Sequence, residues 1–186
     1  MRELILKMSI TVDGFVASAD GGAQWVFDTR DEKAVAWGVK HAWDAGLLIM
    51  GSRSFKVMAA YWPTSTDAYA APMNQISKAV FSKQGTSILP KTNDSWGQAY
   101  VATGDLKEEI TKFKAQDGKP IIATGGASFA RSLVASGLVD QYVLMVHPVV
   151  IGKGLPLFAD LPAPQILKLV SSTTFPRGGV AQIYRP

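Results

Sequence analysis

The chain has no cysteine among its 186 residues, which excludes disulfide cross-links and thiolate chemistry and suits a reducing compartment. Histidine is nearly as scarce. With only His41 and His147, a zinc site would have to lean on carboxylates, and no group of them has metal-ligand spacing, so no metal is expected. Long apolar runs are missing as well: nothing approaches the roughly 18 consecutive apolar residues that a membrane span requires. The stretch Met1-Arg2-Glu3-Leu4-Ile5-Leu6-Lys7 places charges where a signal peptide needs an apolar core, and a cytoplasmic location is expected. No cluster of one charge sign stands out either. The excess of 19 Lys and Arg over 15 Asp and Glu is dispersed and not interleaved with aromatics, which suits a small anionic ligand at least as well as nucleic acid.

What is present is a globular composition, 47% hydrophobic and 18% charged, in a chain long enough for one sizeable core and too short for two. A single domain over 1–186 is expected. Residues 3–12 alternate and end at Asp13-Gly14, which reads as a strand followed by a loop through Gly22. Thr29 and Glu32 have capping-box spacing ahead of the helical stripe Val35, Val39, Ala42, Trp43. Segments 45–50, 78–82, 98–102 and 121–124 read as strands, and 52–60, 105–116 and 127–136 as helices. A long apolar strand runs from Gln141 to about Val150, and 166–174 and 180–184 form a closing hairpin. Strands alternating with helices and then a hairpin predict an α/β domain, three-layered, with a mostly parallel central sheet and an antiparallel C-terminal edge.

The run Ile121-Ile122-Ala123-Thr124-Gly125-Gly126-Ala127-Ser128 is the most informative stretch. A buried strand empties through a glycine pair into a helix, a geometry that offers backbone N–H groups and the positive end of a helix dipole to an anion such as phosphate. A Gly pair also serves tight packing alone.

Five segments in order carry a resemblance: Met8-Ser9-Ile10-Thr11-Val12-Asp13-Gly14-Phe15-Val16-Ala17, Ile49-Met50-Gly51-Ser52-Arg53-Ser54-Phe55, Val80-Phe81-Ser82, Thr124-Gly125-Gly126-Ala127, and Pro148-Val149-Val150-Ile151-Gly152-Lys153-Gly154 with Leu157-Phe158. Together they resemble the dihydrofolate reductase-like fold, and more closely the reductase domain of bacterial bifunctional riboflavin deaminase-reductase in stand-alone form. The resemblance implies an NADPH-dependent oxidoreductase with the cofactor across the carboxyl ends of the parallel strands. It implies Val16 and Ala17 at the nicotinamide end, and Gly51, Ser52, Arg53 and Ser54 at the phosphates. It further implies Ser82 and Lys83 near the adenosine 2′-phosphate, and Thr124, Gly125, Gly126, Ala127 and Ser128 around the pyrophosphate. The chain departs from the pattern twice. Such reductases often carry Arg directly after the second motif's glycine, where this chain has Ser52 and then Arg53. They also carry an Asp-x-Pro-x-Leu-x-x-Arg stretch near the sugar phosphate, and Met58 to Ala68 has nothing like it.

Hydride transfer to C=N or C=O needs a proton. Asp31 shares the helical face of Val35 and Val39, so it is expected to point inward beside Trp25 and Phe27, lose hydration, and have a raised pKa that suits a catalytic proton source. A first-turn acid that only complements the helix dipole is the other reading. Trp25 either stacks on a flat substrate ring or fills the core. His41 is expected to be a structural or surface residue, and His147 a hydrogen-bonded core residue. The nearest named activity is reduction of 5-amino-6-(5-phosphoribosylamino)uracil in riboflavin biosynthesis. Dihydrofolate reductase activity and a non-catalytic NADP-binding protein are the alternatives. The resemblance also implies a homodimer; the apolar 141–150 strand is a candidate surface, and burial within one monomer explains it equally well.

Overall fold

In a computed structural model that describes every residue except Asp160 and Pro162, the chain is built around one eight-stranded sheet. In chain order the elements are β1 (Leu4–Thr11), β2 (Phe15–Ala17), α1 (Trp25–Asp28), α2 (Glu32–Ala42), β3 (Leu47–Gly51), α3 (Ser52–Tyr61), α4 (Ala70–Gln75), β4 (Lys78–Phe81), β5 (Tyr100–Ala102), α5 (Leu106–Ala115), β6 (Ile121–Thr124), α6 (Ala127–Ser136), β7 (Gln141–His147), β8 (Leu155–Pro156), β9 (Lys168–Thr174) and β10 (Val180–Arg185). The sheet order is β5-β4-β3-β6-β1-β7-β10-β9. The first six strands of that order are parallel, and the last hairpin adds β10 antiparallel to β7 and β9 antiparallel to β10. This is the mostly parallel sheet with an antiparallel edge that the residue pattern predicts, and it fits the dihydrofolate reductase-like fold that the resemblance implies. A small second ladder joins β2 to β8.

Because side chains alternate across a strand, β1 divides its residues between two layers. Leu4, Leu6, Met8 and Ile10 enter one buried cluster, whereas Ile5 enters the other. Lys7 and Ser9 follow Ile5 on that second face. On β7 the same division puts Tyr142 and Leu144 with the first cluster and Val143 with the second, so Met145 and His147 fall beside Lys7 and Ser9. Both faces of the sheet are thus apolar at the amino ends of the strands, and one of them turns polar towards the carboxyl ends.

The strand expected at 141–150 stops at His147, where Pro148 withdraws a backbone donor. It lies between β1 and β10 inside the sheet, so burial within one chain accounts for its apolar sequence. The Thr29 capping box is corrected too: α2 begins at Glu32 and is capped by Asp31, whose Oδ1 accepts from Lys33 N at 2.9 Å and Ala34 N at 3.1 Å. Thr29 Oγ1 instead donates to the carbonyl of Trp25 at 2.7 Å.

Candidate active site

A cavity of about 490 Å³ opens on the polar half of that sheet face, walled by α2 and by the segment from Val57 to Met73. Its floor is Lys7, Ser9, Thr124 and His147. Lys7 and Thr124 are paired across β1 and β6, and Thr11 and His147 across β1 and β7. The walls are aromatic, with Phe27, Trp37, Tyr61, Trp62 and Tyr69.

Lys7 Nζ donates to the carbonyl of Gly38 at 2.8 Å and stands 5.1 Å from the centre of the Tyr69 ring. Burial lowers its pKa to about 8, against a smaller upward pull from Asp44. The ammonium therefore titrates close to neutrality. Burial acts on the Tyr69 phenol in the opposite sense, up to about 12.

His147 is bonded through both ring nitrogens, Nδ1 with Thr29 Oγ1 at 2.8 Å and Nε2 with Ser9 Oγ at 3.1 Å. Thr29 has one hydroxyl proton and gives it to Trp25 O. Nδ1 must then be the donor to Thr29, which leaves Nε2 to accept from the Ser9 hydroxyl. Burial holds the ring neutral, with a pKa down at about 4.

Asp31 is buried, and all of its hydrogen bonds are received. Besides its two helix-cap bonds, its Oδ2 accepts from Arg177 N at 2.8 Å. These backbone donors, Arg177 N first among them, outweigh desolvation and hold the carboxyl below the usual Asp range. The expected raised pKa is therefore overturned: Asp31 stands at the cavity edge with its ionised form favoured. Trp25 is also resolved. Its side chain is buried edge-on against His147, centroids 5.2 Å apart, and it is not part of the cavity wall, where Phe27 stands instead. Arg30 and Asp67 close the outer rim through an ion pair of 2.6 Å.

The residues expected around the phosphates gather at the carboxyl ends of neighbouring strands β3 and β6. The amino-terminal amides of an α-helix lack intrahelical acceptors. In α2 and α5 aspartates fill that need, Asp31 in one and Asp105 in the other. In α3 and α6 the cap positions are Gly51 and Gly126, neither with a side-chain cap. Gly125 and Gly126 have φ of +73° and +80°, and a side chain on either would press on Ser54 of α3, a Cβ at Gly126 lying 2.9 Å from Ser54 Oγ. The pair thus lets the two uncapped helix starts approach each other. Arg53 is exposed and reaches the loop after β2, where a Cβ at Gly21 would lie 3.6 Å from its guanidinium. Lys83 is exposed after β4, and Ser82 Oγ accepts from Gln84 N at 3.1 Å in its own turn. Val16 and Ala17 are buried in β2.

A larger hollow of about 850 Å³ lies at the opposite edge of the sheet. Its buried Lys78 Nζ is engaged by Ile76 O at 2.6 Å and Ser95 Oγ at 2.7 Å. It sits away from the strand carboxyl ends, where open α/β sheets place ligands, and the smaller, aromatic cavity is the better candidate.

Sequence reasoning did not single out Lys7, Ser9, Tyr69, Arg30 or Asp67. A signal for two of them was present in β1, where the strict apolar alternation breaks on one face at Lys7 and Ser9. Among the described residues no cluster of His, Asp or Glu could hold a metal, and no described helix is long and apolar enough to cross a membrane.

Comparison with known proteins agrees with the fold. Residues 2–181 match the model of the RibD C-terminal domain. The uncharacterised Bacillus subtilis (strain 168) protein YyaP is 31% identical over 183 residues, covering 98% of this chain and 94% of that protein. Among solved structures, a putative riboflavin biosynthesis protein from Shewanella sp. PV-4 superposes with TM-score 0.77 at 18% identity, covering 98% of both chains. Enterococcus faecalis dihydrofolate reductase, solved in complex with NADP(H), superposes with TM-score 0.61 at 12% identity over 98% of this chain and 95% of that one. The chain belongs to the RibD C-terminal domain family, a family of reductases.

Proposed function

We propose that this protein is an NADPH-dependent reductase acting on a small heterocyclic substrate held in the aromatic cavity. One observation carries the reading: two helix starts without side-chain caps, those of α3 and α6, meet at adjacent strand ends, while α2 and α5 are closed by aspartates. Uncapped amides brought together by glycines fit a diphosphate, which needs donors and a close main-chain approach.

Thr124 to Ser128 and Gly51 to Ser54 would hold the diphosphate, with Arg53, Ser82 and Lys83 placed to select a 2′-phosphate. Val16 and Ala17 of β2 would border the nicotinamide. NADPH supplies the hydride when bound. The cavity's own residues orient the second reactant: the aromatic walls exclude water, and Lys7 Nζ presents an N–H to the substrate atom that gains electron density. With a pKa of about 8, Lys7 carries a proton near neutrality and can release it, which Asp31 cannot. Neutral His147 and Ser9 fix the floor, and the Ser9 oxygen keeps lone pairs for a substrate N–H.

Titration of the protein with NADPH and NADH, followed by quenching of intrinsic fluorescence, tests the reading. Micromolar binding with NADPH preferred is expected, and Arg53→Ala with Lys83→Ala should remove the preference. Absence of binding by either nucleotide would refute it, and NADPH binding without turnover on any heterocycle would favour the non-catalytic alternative.

A further inference from the structure

We infer that the cavity takes a flat, uncharged ring system bearing no phosphate, and that Asp67 enforces this by holding Arg30. The inference rests on the reductase reading above for the identity of the cavity as the substrate site.

A phosphorylated substrate needs cations or amides that can turn to it. The cavity is lined by two basic residues, Lys7 and Arg30, and two acidic ones, Asp31 and Asp67. Arg30 is already paired with Asp67 at 2.6 Å. Asp67 cannot swing aside easily, because its Oδ1 also accepts from Tyr69 N at 2.9 Å and its side chain is only 13% exposed. Lys7 lies deep, against Gly38 O and the Tyr69 face. The amides at the start of α2, a helix end that could otherwise receive a phosphate, are taken by Asp31.

A phosphate dianion at this rim would face two carboxylates fixed by backbone donors, and like charges in a partly desolvated site repel strongly. An uncharged ring meets no such barrier. The walls of Phe27, Trp37, Tyr61, Trp62 and Tyr69 offer it π faces. The segment 58–68, which lacks any basic residue, forms part of that wall and contributes Asp67 to it. The substrate preference is thus built into the position where a charge of the opposite sign would have favoured a sugar phosphate.

Riboflavin and FMN share a ring and differ by a phosphate, so isothermal titration of each into the full-length protein, alone and saturated with NADP⁺, reads the inference directly. Lumichrome, the same kind of ring without the side chain, serves as control. In the NADP⁺-saturated protein, riboflavin and lumichrome are expected to bind at least about tenfold more tightly than FMN. Asp67→Asn keeps an acceptor for Tyr69 N but frees Arg30, and should raise FMN affinity about tenfold while leaving riboflavin within about threefold. FMN binding as well as riboflavin to the wild type would overturn the inference. So would no gain of FMN binding in a folded Asp67→Asn protein, or no binding of riboflavin and lumichrome at all. The heat of NADP⁺ binding separates the two claims: its absence alongside an intact ring preference sinks the cofactor reading alone, whereas NADP⁺ binding with FMN preferred sinks the substrate class alone.

Discussion

The hydroxyl of Tyr69 occupies the space that a side chain on Gly38 would need: a Cβ there would lie 1.7 Å from the Tyr69 oxygen. Gly38 sits in the middle of α2, where glycine costs about 1 kcal/mol relative to alanine. The helix accepts that cost because its inner face must receive Tyr69, and because the Gly38 carbonyl must receive Lys7. Gly38→Ala is therefore expected to destabilise the protein by about 1–3 kcal/mol in urea unfolding, despite alanine's better helix propensity. Adding Tyr69→Phe should recover most of the loss. A more stable Gly38→Ala protein would show that Tyr69 is not held against the helix.

Asp31→Asn keeps one oxygen for the α2 cap but can turn an amide N–H against Arg177 N, where the carboxylate accepted. A lower melting temperature is expected. Because Lys7 would act in its protonated form, the fall of kcat/KM on the alkaline side, above about pH 8, should persist in Asp31→Asn and disappear in Lys7→Met. The opposite pattern would return the proton-donor role to Asp31.

Lys7 also predicts a pH dependence of stability. Its folded pKa of about 8 lies below the free value of 10.5, so between those values the unfolded chain binds a proton that the folded chain does not. Stability from this group consequently falls as pH drops from 10.5 to 8 and is constant below. Lys7→Met should be more stable than the wild type at pH 7, by about 2 kcal/mol after the lost bond to Gly38 is deducted. That advantage should shrink through the window and vanish above it. Chemical denaturation at pH 7 and pH 10.5 measures it.

His147 runs in a different window. With a folded pKa of about 4 against 6.5, it contributes stability that is present above pH 6.5 and lost as pH falls towards 4. His147→Gln should flatten the acid side of the stability profile between those values, and an unchanged slope would show that the ring is not buried in its neutral form.

Gly126→Ala places a Cβ 2.9 Å from Ser54 Oγ on a residue with φ of +80°, a conformation that costs an L residue about 1–2 kcal/mol. The α3 and α6 starts should move apart, with NADPH affinity falling by about tenfold in fluorescence titration. Unchanged affinity would remove the glycine pair from the cofactor site.

Most strands and helices were legible because their signals are local. The alternation of β1, the stripe of α2 and the Gly pair before α6 each follow from neighbours a few residues apart. The state of Asp31 was not legible, because its decisive donor, Arg177 N, is 146 residues away in sequence, and helical periodicity alone shows an inward acid without showing what it meets. The same holds for Trp25, whose burial depends on His147, and for the rim pair Arg30 and Asp67. The short α4 gives a weak periodic signal with Pro72 inside it, and tertiary packing of Met73 fixes it.

The bond between Asp31 and Arg177 carries one more consequence, for how the protein is made. The turn of the final hairpin supplies Arg177 to the start of α2 and Gly179 to the cavity lining. During synthesis these residues leave the ribosome after every other wall of the cavity, so those walls can fold while the pocket still lacks its closing stitch. A chain truncated before Phe175 would keep the six parallel strands of its sheet yet have an open, unanchored Asp31, and a nascent chain cannot acquire a finished ligand site before the hairpin has emerged.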